Sequence, residues 1–162
     1  MRLRLEKLSR KNKTQIIKIS LLCFGKAYTN KEVNKWLEIR LGKRYESIDD
    51  VLEYFLVFSE KKVVGITGFY RIKGESTFWL GYFAVVKQAR RRCLGSMMLQ
   101  QTLARAKSLG CEKFGVWTTS KRASEFYRKN EFNKGKKERT IVADGKVTYR
   151  YPKDSVFYYK NI

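Results

Sequence analysis

From Val85 to Ser96 the chain reads Val-Val-Lys-Gln-Ala-Arg-Arg-Arg-Cys-Leu-Gly-Ser. Arg90, Arg91 and Arg92 stand directly before a stretch of helical periodicity that starts at Gly95. A helix N-terminus leaves about four backbone N–H groups without partners and carries roughly half a positive charge. Anions settle at such a place readily. Three guanidinium groups beside it would add charge, and Gly95, which has no Cβ, permits close backbone approach. The chemistry predicted here is the holding of a pyrophosphate. A solvated basic helix cap is the plainer reading of the same residues.

Other chemistry is disfavoured. The chain has no histidine, which removes the commonest zinc ligand and general base. Cys23, Cys93 and Cys111 form neither a metal-ligand spacing nor a disulfide framework. No metal is expected.

The elements that must position the loop are legible from periodicity. Met1 to Glu6 alternates like a strand. Lys13 to Phe24 carries a helical apolar stripe, and a second helix is expected from Thr29 to a stop at Gly42. Ser47 to Asp50 suggests a short turn. Tyr54 to Ser59, Val63 to Ile72 and Thr77 to Val86 then form an antiparallel meander. The third of these strands runs straight into the basic loop. An amphipathic helix follows from Gly95 to Leu109, with Gly110 as its stop. Phe114 to Thr118 reads as a strand and Arg122 to Lys129 as a helix. Two or three strands close the chain, with Asp144-Gly145 as a hairpin turn. The class is α/β of the α+β kind, in one domain over residues 1–162.

With 36 Lys and Arg against 15 Asp and Glu, the formal net charge is +21. Such a balance attracts polyanions: nucleic acid, an acidic protein or a phosphate-rich cofactor. A solvated lysine-rich surface is the alternative, and the same two readings apply to the clusters Arg10-Lys11-Asn12-Lys13 and Lys134-Gly135-Lys136-Lys137. No apolar run is long enough to span a bilayer. A cytoplasmic protein without a membrane partner is expected, as monomer or homodimer.

The basic segment resembles motif A of the GNAT superfamily of N-acetyltransferases, an Arg/Gln-x-x-Gly-x-Gly/Ala pattern. Arg90 matches its first position and Gly95 its last. Cys93 stands at the first glycine, and Lys87 replaces a frequent proline. Ala123 to Phe132 is similar to a second signature, Ala-x-x-Phe-Tyr-x-x-x-Gly-Phe. There Glu131 replaces the glycine, and Asn130 is expected to take up the left-handed conformation instead. Ser120 stands where many members have asparagine. The resemblance covers Tyr54 to Phe132 well and the first fifty residues in layout only.

The resemblance implies a mixed, mostly antiparallel central sheet flanked by helices, with a splayed parallel strand pair at the cofactor site. Acetyl-CoA would be the acetyl donor. Its pantetheine would lie along Phe83, Ala84 and Val85, with a Val85 N–H polarising the thioester carbonyl. Its pyrophosphate would rest on Arg90, Arg91, Arg92, Cys93, Leu94, Gly95 and Ser96. Ser120 and Tyr127 would also meet the cofactor, and Tyr127 would act as general acid toward the leaving thiolate.

The general base stays open. Some members carry a glutamate at the position of Gly115. Glu38, Glu75 and Glu138 are candidates, each also readable as a surface charge, and water ordered by backbone carbonyls would serve as well. The expected activity is acetyl transfer to an amine of an unidentified acceptor: an acidic protein, a peptide N-terminus, a small amine or an aminoacylated RNA. The alternative is a noncatalytic CoA- or nucleic-acid-binding module on the same fold.

Overall fold

The computed structural model describes residues 2–25, 29–45 and 48–162. In chain order its elements are β1 (Leu3–Lys7), α1 (Lys13–Phe24), α2 (Thr29–Arg40), β2 (Ile48–Ser59), β3 (Lys62–Ile72), β4 (Phe78–Leu80) and β5 (Ala84–Val85). There follow α3 (Leu94–Lys107), β6 (Lys113–Thr118), α4 (Lys121–Lys129), β7 (Asn133–Gly135), β8 (Thr140–Ala143), β9 (Lys146–Arg150) and β10 (Val156–Asn161). The main sheet runs β1-β2-β3-β4-β6-β10-β7, with β5 also on β3. Every pairing is antiparallel except β4 with β6. The mostly antiparallel mixed sheet of the sequence reading is therefore present.

Successive strand residues face opposite sides, and the two sides are covered differently. Phe55, Phe69, Phe78, Leu80, Phe114 and Tyr158 point toward α3 and α4, meeting Leu99, Leu103 and Tyr127. Tyr54, Leu56 and Ile66 point toward α1 and α2, meeting Ile16, Val33 and Trp36. Beyond the reach of those two helices, Trp79 and Phe157 are covered by Tyr151, which follows β9. Phe69, Phe78, Trp79 and Phe114 are almost wholly buried, and each such burial stabilises the fold by about 1.5–3 kcal/mol. No helix among the described residues is long and apolar enough to cross a membrane.

Three expectations need correction. The turn read at Ser47 to Asp50 is the start of β2 from Ile48 onward (Ser47 lies outside the described residues). Long-range pairing from Ile48 with Ile72 to Ser59 with Lys62 overrides the local polar signal, and a bulge between Ile48 and Leu52 absorbs the irregularity. The single strand expected over Thr77 to Val86 is broken into β4 and β5. The tail holds four strands rather than two or three, of which β8 and β9 pair only with each other. Their turn is Asp144-Gly145, both residues at positive φ, as a tight hairpin of the primed type requires.

Candidate active site

The break between β4 and β5 organises the site. From Phe69 to Ile66, β3 takes three steps, while its partner takes four from Leu80 to Ala84. The extra residue is a bulge. Gly68 O accepts the Gly81 N–H at 2.8 Å. The Tyr54 side chain lies beneath, its hydroxyl accepting the Tyr82 backbone N–H. A Cβ on Gly81 would stand 1.9 Å from Tyr54 Oη, so the bulge is built around a glycine and a buried tyrosine together.

Beyond the break, the two central strands part. β4 and β6 are paired only at Phe78 with Phe114 and Trp79 with Gly115. β6 continues to Thr118, but β5 pairs with β3 alone. A gap thus opens between β5 and the end of β6. The Val86 N–H donates to Val64 O at 2.9 Å. By the alternation of an antiparallel ladder, Ala84 uses its backbone groups on Ile66, and Val85 turns its own toward the gap. The Val85 carbonyl accepts from Arg90 Nε at 2.9 Å. Phe83 stacks against Phe126 at 5.8 Å and closes the gap on the α4 side.

The gap leads to the basic loop. A single 3-10 turn at Lys87–Ala89 precedes Arg90, and α3 begins at Leu94. The first helical bond into that turn is from the Met97 N–H to Cys93 O, at 3.1 Å. No side chain caps this helix, so the N–H groups of Leu94, Gly95 and Ser96 face outward, as helix geometry dictates. Arg90 is anchored on Val85, while Arg91 and Arg92 are exposed. Arg91 (φ +64°) and Cys93 (φ +57°) both hold left-handed backbone, which disfavours side chains with a Cβ. Cys93 is thus a thiol in a place that suits glycine. At Gly95 a Cβ would meet the Phe126 ring at 3.2 Å, so this glycine lets α3 approach α4.

Tyr127 sits on α4 among Phe126, Phe132 and Tyr158. It is 7 % exposed, and burial pushes its phenol well above the usual tyrosine range. Ser120 is the N-cap of α4, its Oγ accepting the Ala123 N–H at 3.3 Å. Asn130 does not take the left-handed place: its φ is −99°, and Glu131 stands at +66°. The Asn130 side chain instead donates to Phe126 O at 2.8 Å. Lys160 holds both residues from β10, reaching Asn130 O at 2.9 Å and Glu131 Oε2 at 2.6 Å.

The candidate bases are not brought together. Glu38 is held by Lys43 at 2.9 Å and by the Tyr45 hydroxyl at 2.8 Å, and these hydrogen bonds keep its carboxyl below the usual range. Glu75 accepts from Trp79 Nε1 at 2.7 Å and pairs with Lys137. Glu138 is exposed. Gly115 lies under the Trp79 ring, 2.7 Å from where a Cβ would be. The indole fills the space that a glutamate there would need. Sequence reading missed Tyr54, taken only as the start of an apolar run, because its partner Gly81 is distant in the chain.

A family model described as the acetyltransferase (GNAT) family matches residues 14–132. Among solved structures the chain is similar to an acetyltransferase from Bacillus subtilis in complex with CoA, at 16% identity and a TM-score of 0.69, over 99% of each chain. It is similar to an acetyltransferase from Thermus thermophilus, at 16% identity and a TM-score of 0.73, over 100% of this chain and 98% of that one. PaiA N-acetyltransferase from Thermoplasma acidophilum, in complex with coenzyme A, is 12% identical with a TM-score of 0.67 over 100% of both chains. At these identities the likeness is one of fold. No curated protein matches the chain.

Proposed function

The chain belongs to the GNAT acetyltransferase family, and from that membership we propose that it transfers the acetyl group of acetyl-CoA directly to an amine. One observation carries this reading: a strand gap that opens past two parallel pairs and ends at an uncapped helix N-terminus flanked by arginines. The pantetheine arm lies in the gap, where Val85 offers backbone groups and Phe83 a ring. The pyrophosphate meets the N–H groups of Leu94, Gly95 and Ser96 and the side chains of Arg91 and Arg92. Arg90 braces the loop against β5. Ala84 contributes packing, since its backbone groups serve β3. Cys93 shapes the loop, and Ser120 sets the start of α4.

The amine attacks as the free base. The C–N bond forms, the C–S bond breaks, and the proton shed by nitrogen is the one the sulfur requires. The Val85 N–H stabilises charge on the carbonyl oxygen. Tyr127 serves as hydrogen-bond donor to the departing sulfur. Its raised phenol makes full proton transfer to a thiolate uphill, since an ordinary thiol has a pKa of about 8.5. Positioning in the gap supplies much of the rate.

The test is binding followed by turnover. Acetyl-CoA titrated calorimetrically should bind, and thiol release should appear with a suitable amine. Without CoA binding the reading fails; binding without turnover on any amine supports the noncatalytic module instead. Tyr127→Phe should lower kcat by roughly 10–100-fold, the worth of about 1.5–3 kcal/mol for one hydrogen bond to a charged group, with CoA affinity little changed. Full activity in that variant would remove Tyr127 from the chemistry.

A further inference from the structure

The outer face of α4 is built from charge alone. Ala123, Phe126 and Tyr127 turn inward onto the core that holds Leu103 and Tyr158. Lys121, Arg122, Glu125, Arg128 and Lys129 are exposed. Seven residues make almost two full turns, so Arg128 stands over Lys121 and Lys129 over Arg122, about 10.5 Å along the axis. Neither pair of cations serves the fold: among the described residues, none of the four side chains has a hydrogen bond or an ion pair. Lys121 and Arg122 also lie in the first turn, which holds no acid, although a helix start favours anions over cations.

The basic strip continues on β7, an edge strand of the main sheet. Lys134 stands opposite Tyr158, and residues opposite each other on paired strands share a face. The Tyr158 ring lies 6.4 Å from that of Tyr127, so Lys134 is on the side of the sheet that α4 covers. It too is exposed and unpaired. Lys121, Arg122, Arg128, Lys129 and Lys134 thus surround one free carboxylate, Glu125, because Glu131 is held by Lys160.

What such a face binds follows from what it lacks. α4 and β7 expose no large apolar side chain. A protein partner would find no apolar anchor there, and single-stranded bases no stacking surface. A lipid interface would find nothing to bury. Closely spaced anions remain. The two cation pairs stand about 10.5 Å apart, near the roughly 12 Å width of the major groove of B-form DNA, whereas the major groove of duplex RNA is deep and narrow. We propose that α4 and β7 form a docking surface for duplex DNA. The Lys121–Arg122 and Arg128–Lys129 pairs hold phosphates on opposite rims of one major groove, and Lys134 holds a further phosphate. The contact reads backbone charge and not sequence. It stands independently of acetyl transfer, since Arg91 and Arg92 of the basic loop take no part in it.

The test is fluorescence anisotropy of the whole chain with a labelled DNA duplex of about 20 base pairs, between about 0.05 and 0.2 M salt. Five neutralised phosphates predict a slope of about −4.5 for log K against log salt. Lys121→Gln, Arg122→Gln, Arg128→Gln and Lys129→Gln combined keep good helix formers at exposed positions. This variant should bind at least about tenfold more weakly, with a slope shallower by about 3–4, and Lys134→Gln alone should make it shallower by about 1. Lys11→Gln, Lys61→Gln, Lys62→Gln and Lys73→Gln combined remove the same charge from exposed positions at other turns, and affinity should change less than about threefold. Equal loss in the two fourfold variants overturns the proposal, because net charge alone would then account for binding. An unchanged slope in the α4 variant or in Lys134→Gln overturns it as well. So does an RNA duplex, a single strand or polyglutamate bound as tightly as the DNA duplex.

Discussion

At the scale of single residues, Cys93 is the sharpest departure and the easiest to interrogate. It holds left-handed backbone at the start of α3 with no capping bond from its side chain. A residue with a Cβ loses roughly 1–2 kcal/mol in that conformation relative to its ordinary one. Glycine would release this strain, although the unfolded chain would gain freedom in return. Cys93→Gly should therefore stabilise the protein by about 0.5–1 kcal/mol, read from denaturant midpoints. Under the proposed function it should also tighten CoA, because a side chain leaves the loop proposed to receive the pyrophosphate. Looser CoA binding in the variant would mean that the thiol contributes to the site instead of crowding it. Tyr127 illustrates a different lesson. Its position in the motif was legible, but its burial among Phe126, Phe132 and Tyr158 was not, and burial changes which step it can serve.

At the scale of elements, the bulge between β4 and β5 and the tie between β1, β2 and α3 carry separate predictions. Gly81 and Tyr54 interlock: the Cβ of an alanine would collide with the Tyr54 hydroxyl. Overpacking of this kind costs about 1–3 kcal/mol. Gly81→Ala should destabilise the protein by that amount, and adding Tyr54→Phe should recover part of it, because the clashing oxygen is then gone. Strict additivity in this double-mutant cycle would disprove the interlock. Glu53 of β2 binds Lys7 of β1 at 2.6 Å and Arg105 of α3 at 2.7 and 2.8 Å. Burial raises its carboxyl, but the hydrogen bonds from Arg105 and Lys7 outweigh it and leave the group below its ordinary value. A carboxyl lowered by folding contributes its stability above the unfolded pKa, about 4.3, and loses it as pH falls through the folded value. Glu53→Gln should thus cost about 2 kcal/mol at pH 7 and progressively less below pH 4, as urea titrations at each pH would show. The elements themselves were legible where periodicity is local. β3, α3 and α4 fall within a residue or two of expectation, and Asp144-Gly145 turns where it should. The start of β2 and the break after Leu80 were not, since each depends on pairing with β3 or on a hydroxyl some twenty-seven residues away. The basic loop before α3 was readable because it is contiguous in the chain, and it does lie at a helix start. The aromatic cluster around Tyr70 was not, because Trp36, Tyr70 and Trp117 come together only through the sheet.

At the scale of the whole molecule, the net charge decides how the protein answers to salt. Cations exceed anions by 21, so most cannot be paired in any arrangement of the chain. Five of the acids are in ion pairs: Glu6 with Arg4, Glu38 with Lys43, Glu53 with Lys7 and Arg105, Glu75 with Lys137, and Glu131 with Lys160. Pairs at the surface add at most about 1 kcal/mol each. The remaining lysines and arginines repel one another, and that repulsion weakens the compact state. Salt should relieve it, because the Debye length falls from about 30 Å at 0.01 M to about 8 Å at 0.15 M. The same screening weakens attraction between the Arg90–Arg92 loop and a pyrophosphate. The two responses must therefore run in opposite directions: Tm rises between 0.01 and 0.15 M salt while the Kd for acetyl-CoA increases. A differential scanning trace and a calorimetric titration at each ionic strength read them separately. A Tm that falls over this range would mean that ion pairs outweigh repulsion. A Kd indifferent to salt would mean that backbone N–H groups, and not the arginines, hold the phosphates.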